Sequence, residues 1–472
     1  MPVIGTSGSL SISKALTAAG NVPTENWIMQ FNDAGYTFQN LITSNNNQIL
    51  SAATYNNSSD PNNATNANKF YQIKINQANG LPNITSQTTS NGSKQLVTAG
   101  KTSVANNTYY YSFNFQNATG LGGNSSAGTI IATIDGDILY NYENTGNISA
   151  TGSLNRRTQQ AVIANSVNDY WITGIINQSS NAGNLYKIYL TNFNSNTKST
   201  DVVFNESGNG ASTGSGSIIK YASDGNILIF TEYRRLQSYD NFFSLLKFNT
   251  SNNTVIWEQR YAAANTQFFG GDFIDGNDGY VYAVYNLGFN ANATNQGLYL
   301  YKYQSNNGVL SSNVKYSNGS SFLNSTISKT NSNIIITLDN TANTYILNVN
   351  DNGNINWQRS ISNTPTVFSH TIKSDDLYIA AQARQPNGNA TSRSSIFYKF
   401  PANGTILGNG VYSVHANLTI NYANTNTFTK TSNSIGVALP TGYTVNNAVN
   451  TTVLTLNNTS NTTFLNTTIL NI

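Results

Sequence analysis

One phrase is written three times in this chain. NDNGNINWQRSI spans Asn350 to Ile361, NTSNNTVIWEQRY spans Asn249 to Tyr261, and a shorter copy, NWIMQF, spans Asn26 to Phe31. Each tryptophan is followed by an isoleucine at nearly constant spacing: Ile42 lies 15 residues after Trp27, Ile372 15 after Trp357 and Ile274 17 after Trp257. A polar turn and an apolar run come next, QILSAATY, LYIAAQA and GYVYAVY. The pattern predicts a strand, a connection, a second strand, a tight turn and a third strand. A fourth, alternating and aromatic-rich strand then leads through an Asn-Gly-type turn back to the tryptophan position, as in KFYQIKINQANGLP, GLYLYKYQSNNGVL and SIFYKFPANGTIL.

Further copies, among them LYKIYLTNFNSN, FFSLLKFNTSNN, TYILNVNDNG, GTIIATIDGD and TTVLTLNNTS, bring the expected total to eight units spaced by roughly 55 residues, a sequence sign of a β-propeller. The expected fold is all-β: four-stranded blades, eight in number with seven as the alternative. Trp27 begins a unit with no preceding strands of its own. The unit near Asn426 to Asn458 has three (NTFTKTSN, SIGVALPTGY, TTVLTLNN) and needs a fourth. Strand Trp27–Phe31 is therefore expected to close the ring and remove an open edge. Trp27, Trp257 and Trp357, with Ile42, Ile274 and Ile372, are the expected blade-packing and closure residues. The expected organisation is an arm at 1–24, a propeller at 25–458 and a tail at 459–472.

Composition agrees with a folded β-protein. Aromatics reach 11%, with 28 Tyr and 21 Phe, while charged residues are only 9%. Asn, Ser, Thr and Gly fill the gap and favour turns over helix interiors. A net charge of +3 without a basic run gives no footprint for nucleic acid. With no Cys, disulfides and thiolate metal sites are excluded. No stretch has the apolar length of a membrane-spanning helix. The opening, MPVIGTSGSLSISKALTAAGN, lacks a basic segment followed by an apolar run, so synthesis in a cytosol is expected.

The turn-then-Trp units resemble the blade repeat of quinoprotein-like propellers, which implies architecture and no chemistry. The vicinal cysteines of the quinone dehydrogenases in that family cannot be built here. The charge-poor, Asn-, Ser-, Thr- and Tyr-rich, cysteine-free composition also resembles virion proteins of tailed bacteriophages. That resemblance implies a non-enzymatic tail or capsid appendage, made in the host cytoplasm and located in the virion. Its implied partners are other virion proteins, through the N- and C-terminal segments, and host-surface glycans. Self-association is a further possibility. The alternative reading is a secreted or cell-surface carbohydrate-binding propeller, and a third is a glycan-cleaving propeller enzyme.

Residues with catalytic potential are few, and no catalytic, cofactor or metal site is expected. Glu232, Asp240 and Glu258 lie near Arg234 and Arg235 and invite a sialidase comparison. The nearest match to a Ser-X-Asp-X-Gly-X-Thr-Trp turn, Asp351 to Trp357, has one residue too many. His370 and His415 are the only histidines, both in strand patterns, and no serine sits in a nucleophile elbow. DFIDGNDG, Asp272 to Gly279, has the wrong spacing for an EF-hand loop and reads as a turn. Loops of Asn, Ser, Gly and Tyr suit adaptable hydrogen bonding to sugars or proteins.

Overall fold

The computed structural model describes residue 26 onward as strands and the tight turns between them; residues 1–25 and many longer connections lie outside the described residues. Strand β1 (Trp27–Phe31) comes first. Sheet I follows with β2 (Tyr36–Thr43), β3 (Gln48–Tyr55), β4 (Lys69–Asn76) and β5 (Pro82–Ser90). Sheet II has β6 (Lys94–Ala99), β7 (Ser103–Ala105), β8 (Thr108–Asn117), β9 (Ser126–Thr133) and β10 (Ile138–Asn144). Sheet III has β11 (Asn155–Ser166), β12 (Asp169–Ser180), β13 (Gly183–Asn194) and β14 (Thr197–Glu206). Sheet IV has β15 (Ser212–Tyr221), β16 (Ile227–Arg235), β17 (Asn241–Asn249) and β18 (Thr254–Ala262).

Sheet V has β19 (Gln267–Asp275), β20 (Tyr280–Gly288), β21 (Gly297–Gln304) and β22 (Leu310–Ser317). Sheet VI has β23 (Ser325–Lys329), β24 (Asn333–Asp339), β25 (Asn343–Asn350) and β26 (Ile355–Ser362). Sheet VII has β27 (Thr366–Lys373), β28 (Asp376–Arg384) and β29 (Arg393–Pro401), and takes β1 as its fourth strand, Trp27 opposite Lys399. The N-terminal strand thus completes a sheet whose other strands come from the C-terminal part of the chain, but its neighbour is β29 and not the stretch Asn426 to Asn458 expected from the sequence.

The chain is all-β, built of repeated antiparallel four-stranded units in a blade-like arrangement. The described strands within Asn426 to Asn458, expected to be an eighth unit, do not pair with one another. Strands β30 (Gly410–His415), β31 (Leu418–Asn424), β32 (Thr429–Thr431), β33 (Val437–Ala438), β34 (Tyr443–Asn447), β35 (Leu456–Thr459) and β36 (Thr467–Asn471) instead add to the outer edges of sheets already formed. Short alternating segments between Asn- and Thr-rich turns look alike in sequence whether they pair with one another or with six different sheets.

Neighbouring sheets pack face to face. Between IV and V, Phe230, Phe243, Leu245, Ala283, Tyr285 and Tyr301 share one core, with the Phe243 and Tyr285 rings stacked at 3.4 Å. Between V and VI the core includes Tyr282, Val284, Phe322, Ile334, Ile336 and Leu347. Between VI and VII it includes Ile335, Ile346, Ile379, Ile396 and Tyr398. The second strands of sheets IV to VII are buried on both faces, so they read as apolar runs with little alternation. Strands β27 and β28 also pack against β2 of sheet I.

The hairpin turns of successive sheets meet at one end. Ser223 N in the β15–β16 turn donates to Asp275 Oδ2 at the β19–β20 turn, 2.9 Å. Lys329, at the end of β23, pairs with Asp278 at 3.4 Å and with Asp351 in the β25–β26 turn at 3.1 Å. Tyr316 Oη donates to Gly353 O in that same turn, 2.8 Å. Because the strands alternate in direction, the second-to-third-strand connections and the sheet-to-sheet connections leave from the opposite end.

Candidate functional site

The repeated phrase does the same job at three joints. Trp27 Nε1 donates to Gln77 O at 3.1 Å, and its ring faces Gly80 in the β4–β5 turn of sheet I. Trp257 Nε1 donates to Ser305 O at 3.0 Å and faces Gly308 in the β21–β22 turn of sheet V. Trp357 faces Gly404, beyond β29 of sheet VII. All three glycines have positive φ, and a Cβ on any of them would stand 2.6–2.7 Å from an indole carbon. The Asn-Gly turn and the tryptophan are therefore two halves of one contact. At the V–VI joint, Val314 and Tyr316 take the tryptophan's place against Gly353.

Ile274 and Ile372 pack at the margins of the V–VI and VI–VII cores. Ile42 lies in β2 opposite Leu50, and its side chain is outside the described residues. The fourth tryptophan, Trp171 of β12, is buried edge-on to Phe248.

The innermost strands are stitched by polar contacts. Lys220 of β15 pairs with Asp272 of β19 at 2.8 Å and also donates to Phe273 O. Asp272 in turn accepts from Ile327 N of β23, 3.3 Å. His370 Nδ1 of β27 is hydrogen-bonded to Thr326 Oγ1 and, at 2.8 Å, to Thr337 Oγ1. Asp339, fully buried at the end of β24, accepts from Asn324 N at 3.2 Å, Asn324 Nδ2 at 3.0 Å and Val367 N of the next sheet. Burial raises its carboxyl to about 7, against the opposing pull of those donors.

Nothing in the local sequence around Asp339 marks it as a site residue. Its signal is positional: Glu232, Asn286 and Asp339 occupy one position counted from the last pair of the inner hairpin in sheets IV, V and VI. Asn286 is fully buried and neither atom of its amide has a hydrogen-bond partner among the described residues; Ser325 Oγ is likewise buried without one among them.

Other candidates are spoken for by structure. Asp275 accepts from Ser223 N and, at 2.9 Å, from Asn277 N within its own turn. Burial alone would raise the Asp278 carboxyl; hydrogen bonds from Tyr282 Oη and Tyr280 N and the Lys329 ammonium outweigh it and hold the group below its usual value. DFIDGNDG thus spends its carboxylates on turns and joints. Glu258 is buried on Ser244 Oγ, 2.7 Å, and Arg260. The side chains of Glu232, Arg234, Arg235, Asp240 and His415 lie outside the described residues. Among the described residues no group of His, Asp and Glu is placed to hold a metal ion, and no helix is long and apolar enough to cross a membrane.

The sequence matches no protein-family model and no curated protein. Solved structures of similar shape include the phage phi92 endosialidase, at 10% identity and TM-score 0.45, covering 84% of this chain and 74% of that one. They also include the Bombyx mori GH32 β-fructofuranosidase BmSUC1, at 8% and 0.32, covering 84% and 94%. A third is the Bacillus licheniformis rhamnogalacturonan lyase PL11, at 12% and 0.28, covering 69% and 61%. These similarities are too distant to assign this chain an activity. They do correct the expectation drawn from composition. The named neighbours are mostly carbohydrate-active enzymes, and the phage protein among them is an endosialidase by name. The reading as a non-enzymatic virion appendage, with its virion location, is accordingly withdrawn. An Asn- and Tyr-rich, cysteine-free composition reports β-structure and turns, and many β-proteins of unrelated biology share it.

Proposed function

We infer that this chain is a carbohydrate-binding propeller whose seven sheets close into one ring, with the sugar at the end opposite the hairpin turns. Ring closure is supported by β1 as the fourth strand of sheet VII and by the packing of β27 and β28 on β2.

The observation that carries the binding reading is the segregation of connections. At the hairpin end, turns are short and locked by ion pairs and docked tryptophans. The connections from the opposite end include 56–68 (NNSSDPNNATNAN), 118–125 (ATGLGGNS), 289–296 (FNANATNQ) and 385–392 (QPNGNATS). Their only charged residue is Asp60. Amides and hydroxyls of this kind pair with sugar hydroxyls in both hydrogen-bonding senses and carry no field that selects for an ionic ligand.

The test is a glycan panel of neutral and acidic oligosaccharides, probed with the full chain and with variants in which 289–296 or 385–392 is replaced by Gly-Ser repeats. Binding to neutral glycans that either replacement abolishes, with Tm unchanged, is the expected result. Binding that survives both replacements, or no binding at all, overturns the reading. Incubation of bound glycans with the chain and assay for new reducing ends or unsaturated products measures cleavage in the same experiment.

A further inference from the structure

The strands after β29 follow a route that no requirement of a four-stranded blade explains. Strand β31 pairs with β26 of sheet VI, β32 with β22 of V, β33 with β18 of IV, β34 with β14 of III, β35 with β5 of I and β36 with β1 of VII. Every pairing is antiparallel, and the sheets are visited in reverse of the order in which they were made. Among the described residues only the outer strand of sheet II, β10, lacks such a partner. The chain leaves sheet VII at β29, passes to sheet VI, travels back past the others and returns to sheet VII at β36. It has gone once around the outside.

The two ends of the described chain meet in the process. Strand β1 is held between β29 and β36: Gln30 lies opposite Ile396 on one side and Thr468 on the other. Closure by β1 alone would leave one strand pair to rupture before the ring opens. With the outer strands in place, parting any two sheets also pulls on the segment that crosses between them.

We propose that strands β30–β36 are a belt that fastens the ring from outside, so that the ring opens only after the belt is released and belt release sets the unfolding rate. The inference rests on the ring reading above and is independent of the sugar. The belt also covers edge backbone that would otherwise be open to another chain's strands. Apart from Lys430 in β32 and His415 in β30, its strands carry no acidic or basic side chain and are rich in Asn and Thr, YTVNN and TTILN among them, so backbone pairing supplies the attachment.

The absence of cysteine from the 472-residue sequence makes disulfide trapping clean. Directly opposed antiparallel residues have Cα separations of about 4.5–5.5 Å, within disulfide range. Three double variants are made: Gln30→Cys with Ile396→Cys for ring closure, and Gln30→Cys with Thr468→Cys and Ser360→Cys with Ala423→Cys for the belt. All three are expected to oxidise within one chain at every protein concentration. The two belt links should slow denaturant-induced unfolding by at least ~tenfold relative to the reduced forms, whereas Asn333→Cys with Asn350→Cys, across a hairpin inside sheet VI, should change it by less than about twofold.

Failure of the Gln30–Ile396 link alone would overturn the ring. Its formation without the belt links, belt links only between chains, or belt links that leave the unfolding rate unchanged would overturn the belt. Hydrogen exchange on the unaltered chain checks the result without mutation. Val202–Glu206, paired with β34, should exchange more slowly than Thr254–Arg260 of β18, which lie outside the β33 pairing. Equal exchange in the two segments would count against the belt.

Discussion

Gly308 lies so close beneath Trp257 that a methyl group on its Cα would stand 2.7 Å from Cδ2 of the indole. The backbone there has φ +70°, a region that costs an L-residue ~1–2 kcal/mol.

Gly308→Ala should therefore lose stability twice, from backbone strain and from lifting the indole off its turn, for a total of ~2–4 kcal/mol. Gly279 provides the matched control, since it has φ +87° with nothing within 4 Å of a built Cβ. Gly279→Ala should cost only the backbone share, about 1–2 kcal/mol. Denaturant midpoints of the two variants decide the matter, and equal losses would show that the tryptophan contact contributes nothing.

The same contact explains how much of the fold was legible. Tryptophan and turn glycine are neighbours in space but belong to different units, and three joints of the repeat carry the pair, at Trp27, Trp257 and Trp357. Their recurrence at fixed spacing revealed the blades and the strand at Trp27 that lacked its own. The tail escaped because pairing of Tyr443–Asn447 with β14 or of Thr467–Asn471 with β1 is non-local and leaves no periodic trace. The polar stitching escaped for a related reason. Asp339 is one acid at a strand end until sheets IV to VI are aligned, and only then does it share a position with Asn286.

Asp339 makes stability depend on pH in an unusual direction. Its folded-state carboxyl titrates near 7 while an unfolded aspartate titrates near 4, so between those values the folded chain holds a proton that the unfolded chain has lost. The contribution is fully present below about pH 4, declines as pH rises and is gone above about pH 7, for a total of roughly 4 kcal/mol. Asp339→Asn removes this component whatever its baseline cost. The gap in unfolding free energy between wild type and variant should shift in the variant's favour from pH 4.5 to pH 8; a constant gap would mean the carboxyl titrates normally.

Asn286 occupies the matching position without matching partners. An amide buried with no hydrogen bond carries a desolvation cost of ~1–3 kcal/mol, which an apolar side chain of similar volume does not. Asn286→Leu should leave the denaturant midpoint unchanged or raise it, against the usual direction for a core substitution. Asp339→Leu, which strands the Asn324 and Val367 donors, should lower stability by ~3 kcal/mol. A comparable loss for Asn286→Leu would reveal a partner for the amide, such as a buried water.

Lys247 lies directly opposite Trp257 in the β17–β18 pair, and both side chains donate to one acceptor. Trp257 Nε1 reaches Ser305 O at 3.0 Å and Lys247 Nζ reaches it at 2.8 Å, while Nζ also pairs with Asp224 at 2.7 Å. Trp257→Phe leaves the lysine on the carbonyl, and Lys247→Met leaves the indole on it. Each single change should cost ~1–2 kcal/mol in lost packing and one hydrogen bond. Only the double variant leaves a buried carbonyl with neither donor, so its loss should exceed the sum of the singles by about 1 kcal/mol. The four denaturation curves of this cycle measure that excess directly. Strict additivity would mean that the shared carbonyl finds a replacement donor when both side chains are gone, and that the two residues hold the joint between sheets IV and V independently.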